Sequence, residues 1–161
     1  MDQISESRLA EVHPVLAAKV RYLAASLAQQ GITVRVVQGL RTKQQQDELY
    51  AQGRNGDTRP RVTNAKGGYS YHNFGLAVDL MVGLRGGSPW KQNDNAQHPD
   101  YKAMIAAGEA LGLVSGSRWA HPDVPHFQLA GIPVTPTDAM RAVLAQGGVS
   151  AVWKTFIKEA A

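Results

Sequence analysis

Apolar residues recur every three to four positions along the first stretch of the chain, at Leu9, Val12, Leu16, Val20, Leu23 and Leu27. That period predicts an amphipathic helix over residues 5 to 30. Ser5 or Ser7 is its expected cap and Gly31 its stop. Pro14 lies inside the span and predicts a break before a main helix from about Pro14. The period then drops to two. Ile32, Val34 and Val36 alternate with Thr33, Arg35 and Val37, which predicts a strand. A loop at 38–42 leads into a short helix near 42 to 52, capped by Thr42 and stopped by Gly53. Residues 53 to 70 are rich in Gly, Arg, Asn, Asp and Pro and carry almost no apolar period. A long loop of this kind in a compact domain is usually functional or mobile. Residues 76 to 82 form a second predicted strand, with Leu76, Val78, Leu80 and Val82 on one face and Ala77, Asp79 and Met81 on the other. Loop character returns over 83–99, at Gly83, Gly86, Gly87, Pro89, Asn93, Asp94 and Asn95. A helix is predicted over 100–111, capped by Asp100 and stopped by Gly112. A third strand follows over 126–129, after Pro125. The tail from Thr137 reads as two short helices broken at Gly147-Gly148.

No repeat, low-complexity tract or linker divides these elements, so the 161 residues read as a single domain, 1–161. The chain contains no cysteine, which excludes disulfides and thiolate metal sites and leaves His, Asp and Glu as the possible ligands. The net charge of +4 is mildly basic and is first of all a solvated surface. No recognised nucleic-acid motif and no basic patch interleaved with aromatics accompanies it, so no nucleic-acid partner is expected. No apolar run approaches the length of a bilayer span. The N-terminal stretch has neither a basic start nor an apolar core, so no signal peptide is read there.

Candidate chemistry concentrates in two segments, Ser70 to Asp79 and Asp123 to Gln128. Asp79 is a lone acid on the strand face opposite the apolar stripe. An unpaired buried carboxylate is costly, so it needs a cation, either a basic side chain or a metal. In the later strand, Phe127 and Leu129 share one face and His126 and Gln128 the other. If the two strands pair with their apolar faces on the core, Asp79 and His126 share one surface. His72 stands an odd number of residues from Asp79, but Gly75 permits a bend that turns it over the sheet. Two imidazoles and one carboxylate then make a three-ligand zinc site with a fourth position open to water. His121 is an alternative to His126, which is preferred because its strand phase matches Asp79. His13 and His98 are read as surface residues. Asp123, three residues before His126, is the candidate general base and later acid. Arg41 is the candidate for stabilising the oxyanion. Trp119 and Tyr71 either wall the cleft or pack in the core. Arg54, Arg59, Arg61 and Lys66 make the long loop basic, and beside a cleft they would attract an anionic polymer.

These residues resemble a known family. The pattern Ser-x-His-x-x-Gly-x-Ala-x-Asp over Ser70 to Asp79 is similar to the signature of zinc D-Ala-D-Ala carboxypeptidases and L-alanyl-D-glutamate endopeptidases, whose fold is shared with the hedgehog signalling domain. Gly39-Leu40-Arg41-Thr42, with Gln46, Leu49 and Tyr50 after it, resembles the family's Gly-Tyr-Arg-Thr motif and the helix that follows. Leu40 departs from it where an aromatic is common. Asp123-x-Pro-His126-Phe resembles the third block. The resemblance covers about residues 8–130, with 131–161 as a C-terminal helical extension. It implies an α+β fold in which a small antiparallel sheet bears the zinc site and helices flank it. It implies Zn2+ held by His72, Asp79 and His126, with Asp123 as base. Arg41 would bind substrate or stabilise the oxyanion, and Ser70 and Gln46 would line the substrate site.

The implied substrate is peptidoglycan. The run Val62 to Asn73 resembles compact phage lysis enzymes, which points to an L-alanyl-D-glutamate endopeptidase acting as a monomer. Such an enzyme would stay in the host cytoplasm until lysis releases it to the periplasm and cell wall. The alternatives are a D-Ala-D-Ala carboxypeptidase and a zinc-containing wall-binding module without catalysis. Asp123 speaks against the last, because a structural site needs no base.

Overall fold

The computed structural model describes residues 1–83 and 96–157. Most of the predicted loop 83–99, including Gly86, Gly87, Pro89, Asn93, Asp94 and Asn95, lies outside the described residues, as do the last four residues of the C-terminal extension. The described chain forms two compact units, residues 1–39 with 77–130, and residues 40–76 with 131–161.

The first unit contains a four-stranded antiparallel sheet in the order β1-β2-β4-β3 and three helices. The strands are β1 (Thr33–Gln38), β2 (Ala77–Gly83), β3 (Leu113–Ser115) and β4 (His126–Leu129). The helices are α1 (Gln3–Leu9), α2 (Pro14–Ala28) and α4 (Pro99–Ala110). The predicted break at Pro14 separates α1 from α2. Leu16, Val20, Leu23 and Leu27 of α2 are completely buried, as the helical period requires. Val34 and Val36 of β1, Val78, Leu80 and Val82 of β2, and Phe127 of β4 complete the core from the sheet. Each of the three predicted strands therefore keeps its apolar face inward. The α+β class and the small antiparallel sheet are borne out.

Four expectations about helix ends and histidines change. Asp2, not Ser5 or Ser7, caps α1 by accepting the Ser5 N–H at 2.8 Å. Ser5 is buried and its hydroxyl accepts the Val36 N–H at 3.0 Å, tying α1 to β1. His98, not Asp100, caps α4, and its Nδ1 accepts the Asp100 N–H. His13 does the same for Val15 at the start of α2 and is buried, not on the surface. His98 is half-buried for the same reason. In both cases proline occupies the first helical turn, so the preceding residue must supply the acceptor. A histidine ring nitrogen can fill that role, which the usual list of capping residues does not suggest. The short strand β3 and the 3-10 turn Gly116–Arg118 were not predicted, because three-residue elements carry no readable period.

The second unit contains α3 (Lys43–Ala51), the 3-10 turn Tyr71–Phe74 and α5 (Asp138–Phe156). Thr42 caps α3 with a full capping box to Gln45. Helix α5 is kinked at Gly148, whose φ of 69° no helix interior adopts, as the Gly147-Gly148 pair predicts. The long loop between α3 and the 3-10 turn is held largely by its own basic residues. Arg54 stacks over the Tyr50 ring at 3.9 Å and donates to the Thr63 carbonyl at 3.0 Å. Arg59 pairs with Asp57, whose carboxyl is held well below the usual range by that guanidinium and the Arg59 N–H. Arg61 donates to the Gly53 carbonyl. Much of the predicted basic character of the loop is spent on fixing its own backbone.

Candidate metal centre

Asp79 and His126 meet because of strand register. β2 and β4 pair with Asp79 directly opposite His126, Val78 opposite Phe127 and Ala77 opposite Gln128. The apolar partners face the core, so the alternation of each strand turns the acid and the imidazole to the opposite face together. His126 Nδ1 lies 3.4 Å from Asp79 Oδ1. On the other side of the ring, His126 Nε2 lies 3.1 Å from Gln128 Oε1. The two ring nitrogens thus each meet a side-chain oxygen, the Gln128 amide oxygen on one side and the Asp79 carboxylate on the other. An imidazole nitrogen and a carboxylate oxygen this close can share a proton or bind one cation between them.

The acid-base behaviour of His126 expresses the same demand. Burial alone pulls its pKa down, but the hydrogen bond and charge of Asp79, the charge of Asp123 and the Gln128 contact outweigh it, and the pKa is raised. The pair attracts either a proton or a metal cation. Two ligands on one tetrahedral zinc ion, at the usual bond lengths, are themselves about 3.4 Å apart. The spacing of Asp79 and His126 fits that donor geometry.

His72 comes from the 3-10 turn that leads into β2. Gly75 closes that turn in the left-handed conformation, at φ 63° and ψ 26°. This is the bend that Gly75 was expected to permit, and a side chain there would be strained. His72 is buried, and its backbone N–H is directed to the Ser70 hydroxyl, which caps the turn. One ligand atom from each of His72, Asp79 and His126 lies within 4.8 Å of the other two. Two nitrogens, one oxygen and no thiolate form a donor set suited to zinc and related divalent ions. His121, the alternative ligand, is exposed and is not a member of this group.

The remaining predicted residues fall around these. Asp123 is exposed, on the turn that enters β4. Its N–H donates to the Gly116 carbonyl at 3.0 Å, and its own carbonyl accepts the His126 N–H at 3.2 Å. A Cβ on Gly116 would stand 2.6 Å from the Asp123 carbonyl and 3.1 Å from the His126 Cβ. The close approach of these two segments thus depends on glycine. Trp119 is 40% exposed and its ring lies 4.8 Å from the His126 ring, so it flanks the imidazole and is not a core residue. Tyr71 is buried; its hydroxyl donates to the Pro133 carbonyl at 2.6 Å, and burial pushes its pKa up to about 12.

Within the second unit, Arg41 is half-buried and donates to Gln46 Oε1 at 2.8 Å. Gln46 is completely buried and also donates to the Ala65 carbonyl at 2.8 Å, so it orients Arg41 and the long loop and has no surface of its own. Arg41 lines a cleft of about 250 Å³ together with Leu40, Lys43, Asn73, Arg141 and Leu144. Two residues of the site were missed from the sequence. Gln128 was placed on the correct face, yet its role depends on the ring it touches. Asn73 lies inside the signature at a position that seemed to be filler.

A family model described as VanY, D-alanyl-D-alanine carboxypeptidase, matches residues 9–115, and the chain belongs to this family of peptidases. The match covers His72 and Asp79 and ends before Asp123 and His126. A relative is the peptidoglycan L-alanyl-D-glutamate endopeptidase CwlK of Bacillus subtilis (strain 168), 34% identical over an alignment of 125 residues that covers 74% of this chain and 74% of that one. Among solved structures, the L-Ala D-Glu endopeptidase ChiX of Serratia marcescens superposes with a TM-score of 0.51 at 26% identity, over 81% of this chain and 89% of that one. No helix among the described residues is long and apolar enough to cross a membrane.

Proposed function

We propose that this chain is a zinc-dependent endopeptidase that hydrolyses the L-alanyl-D-glutamate bond of peptidoglycan stem peptides. The observation that carries the proposal is the approach of three candidate ligand atoms, from His72, Asp79 and His126, to within 4.8 Å of one another. Both named relatives cleave this bond by their descriptions, which favours it over the D-Ala-D-Ala bond of the family's name. A zinc ion held there supplies Lewis acidity and lowers the pKa of water to about 7.

The other roles belong to the chain. Asp123 takes a proton from the attacking water as the water oxygen joins the L-Ala carbonyl carbon. It returns the proton to the D-Glu nitrogen as the C–N bond breaks. Gln128 keeps the His126 ring turned, so that Nδ1 and not Nε2 faces Asp79. D-Glu is linked onward through its side-chain carboxyl, so its α-carboxylate is free. Arg41, in a cleft that also holds Lys43 and Arg141, offers the charge to bind that carboxylate or the developing oxyanion. Ser70 and Gln46 support this region, Ser70 by capping the His72 turn and Gln46 by holding Arg41. We also propose that the enzyme acts in phage lysis, a reading that rests on the run Val62 to Asn73.

Two measurements follow. Mass spectrometry of digested wall fragments should show new N-terminal D-Glu products; release of free D-Ala instead would replace this bond with the D-Ala-D-Ala one. Gln128→Leu keeps the buried volume but removes the acceptor on His126 Nε2. It should weaken zinc binding by about 10–100-fold with the fold retained, read by competition with a chromophoric chelator.

A further inference from the structure

Asn73 follows His72 in the 3-10 turn and is only 4% exposed. Its amide works as a three-way clamp. Oδ1 accepts the Gly68 N–H at 2.8 Å. Nδ2 donates to the Arg41 carbonyl at 2.8 Å and to the Thr42 carbonyl at 3.1 Å. The backbone adds a parallel bond, Arg41 N–H to the His72 carbonyl at 3.0 Å. The turn that carries His72 is thus fastened on one side to the segment that starts α3 and on the other to the end of the long loop. All of these bonds lie within the second unit. An aspartate lacks the two donors, a leucine of similar size lacks all three bonds, and a serine is too short to span both sides.

We propose that Asn73 is a positioning residue for the metal centre: its side-chain clamp fixes the backbone of His72, so that the imidazole is aimed before the cation arrives. The inference rests on the reading of His72 as a metal ligand. Its chemistry is that of outer partners that orient a ligand without touching the ion. A ligand held within a few tenths of an ångström of its bound place spends less free energy on ordering when the metal binds.

Asn73→Leu tests it, with zinc affinity measured by chelator competition and melting temperature recorded with and without zinc. The expected result is a zinc affinity about 10–100-fold weaker, with a smaller rise in melting temperature on zinc addition. Equal losses of melting temperature in the zinc-free and zinc-loaded forms, with unchanged affinity, would mean that Asn73 only supports the fold and would overturn the proposal. If Asn73→Leu does not fold, Asn73→Gln keeps the donors and acceptor but moves them by one methylene. It should bind zinc more weakly than wild type, and unchanged affinity would again overturn the proposal. A wild-type protein that takes up no zinc, or a His72→Ala protein that binds it normally, would instead remove the metal reading on which this one stands.

Discussion

Replacing Asp123 with alanine should lower turnover of wall fragments by about 10²–10⁴-fold, the usual worth of a general acid-base group, while zinc content stays at the wild-type level. The separation of these two readouts follows from the site. Asp123 stands on the turn before β4, three residues ahead of His126, and is exposed where the imidazole is buried. Its backbone is bonded to Gly116 on one side and to His126 on the other, and those bonds survive the loss of the carboxylate. On the proposed assignment, the ligands stay in place while the proton acceptor is removed. The effect should fall on kcat with little change in KM, because the proton moves only in the transition state. Steady-state kinetics on a defined muropeptide, with metal analysis of the same sample, checks it. A variant with wild-type kcat would transfer the role of base to another group.

Loss of a ligand should be more severe. Asp79→Ala, His72→Ala and His126→Ala should each reduce activity to background and abolish the zinc-induced rise in melting temperature. A ligand present at a thousand times its Kd stabilises a folded protein by about 4 kcal/mol. For a chain of this size that corresponds to roughly 10 °C. Asp79→Ala carries a second cost. The His126 imidazole then keeps its burial without the acid that raises its pKa, so the ring loses the partner that draws a cation to it.

The sheet and the Asp79–His126 pair were legible because both depend on a period of two. Asp79 interrupts an apolar stripe on one strand, and His126 has the matching phase on another. Pairing the two strands with their apolar faces inward then sets acid opposite imidazole. Gly75 could be read as permitting a bend because glycine adopts the left-handed conformation at no steric cost. What escaped was of a different kind. His13 and His98 as caps depend on a proline that follows and on ring nitrogens acting as acceptors, a local hydrogen bond that no apolar pattern marks. Gln128 acts through one contact with the His126 ring, and Asn73 through three side-chain bonds to Gly68, Arg41 and Thr42. A sequence shows that such residues are polar and share a face; it does not show which atom waits for them. The basic loop was legible as composition only, since the carbonyls that Arg54 and Arg61 bind, eight or nine residues away, are brought to them by the fold of the loop.

The most direct measurement is a calorimetric zinc titration of the chelated wild-type protein beside the three single-ligand variants. The wild type should take up one tight equivalent, and His72→Ala, Asp79→Ala and His126→Ala should show no tight binding. Tight uptake by all three variants, or none by the wild type, would contradict the assignment of the metal to these side chains.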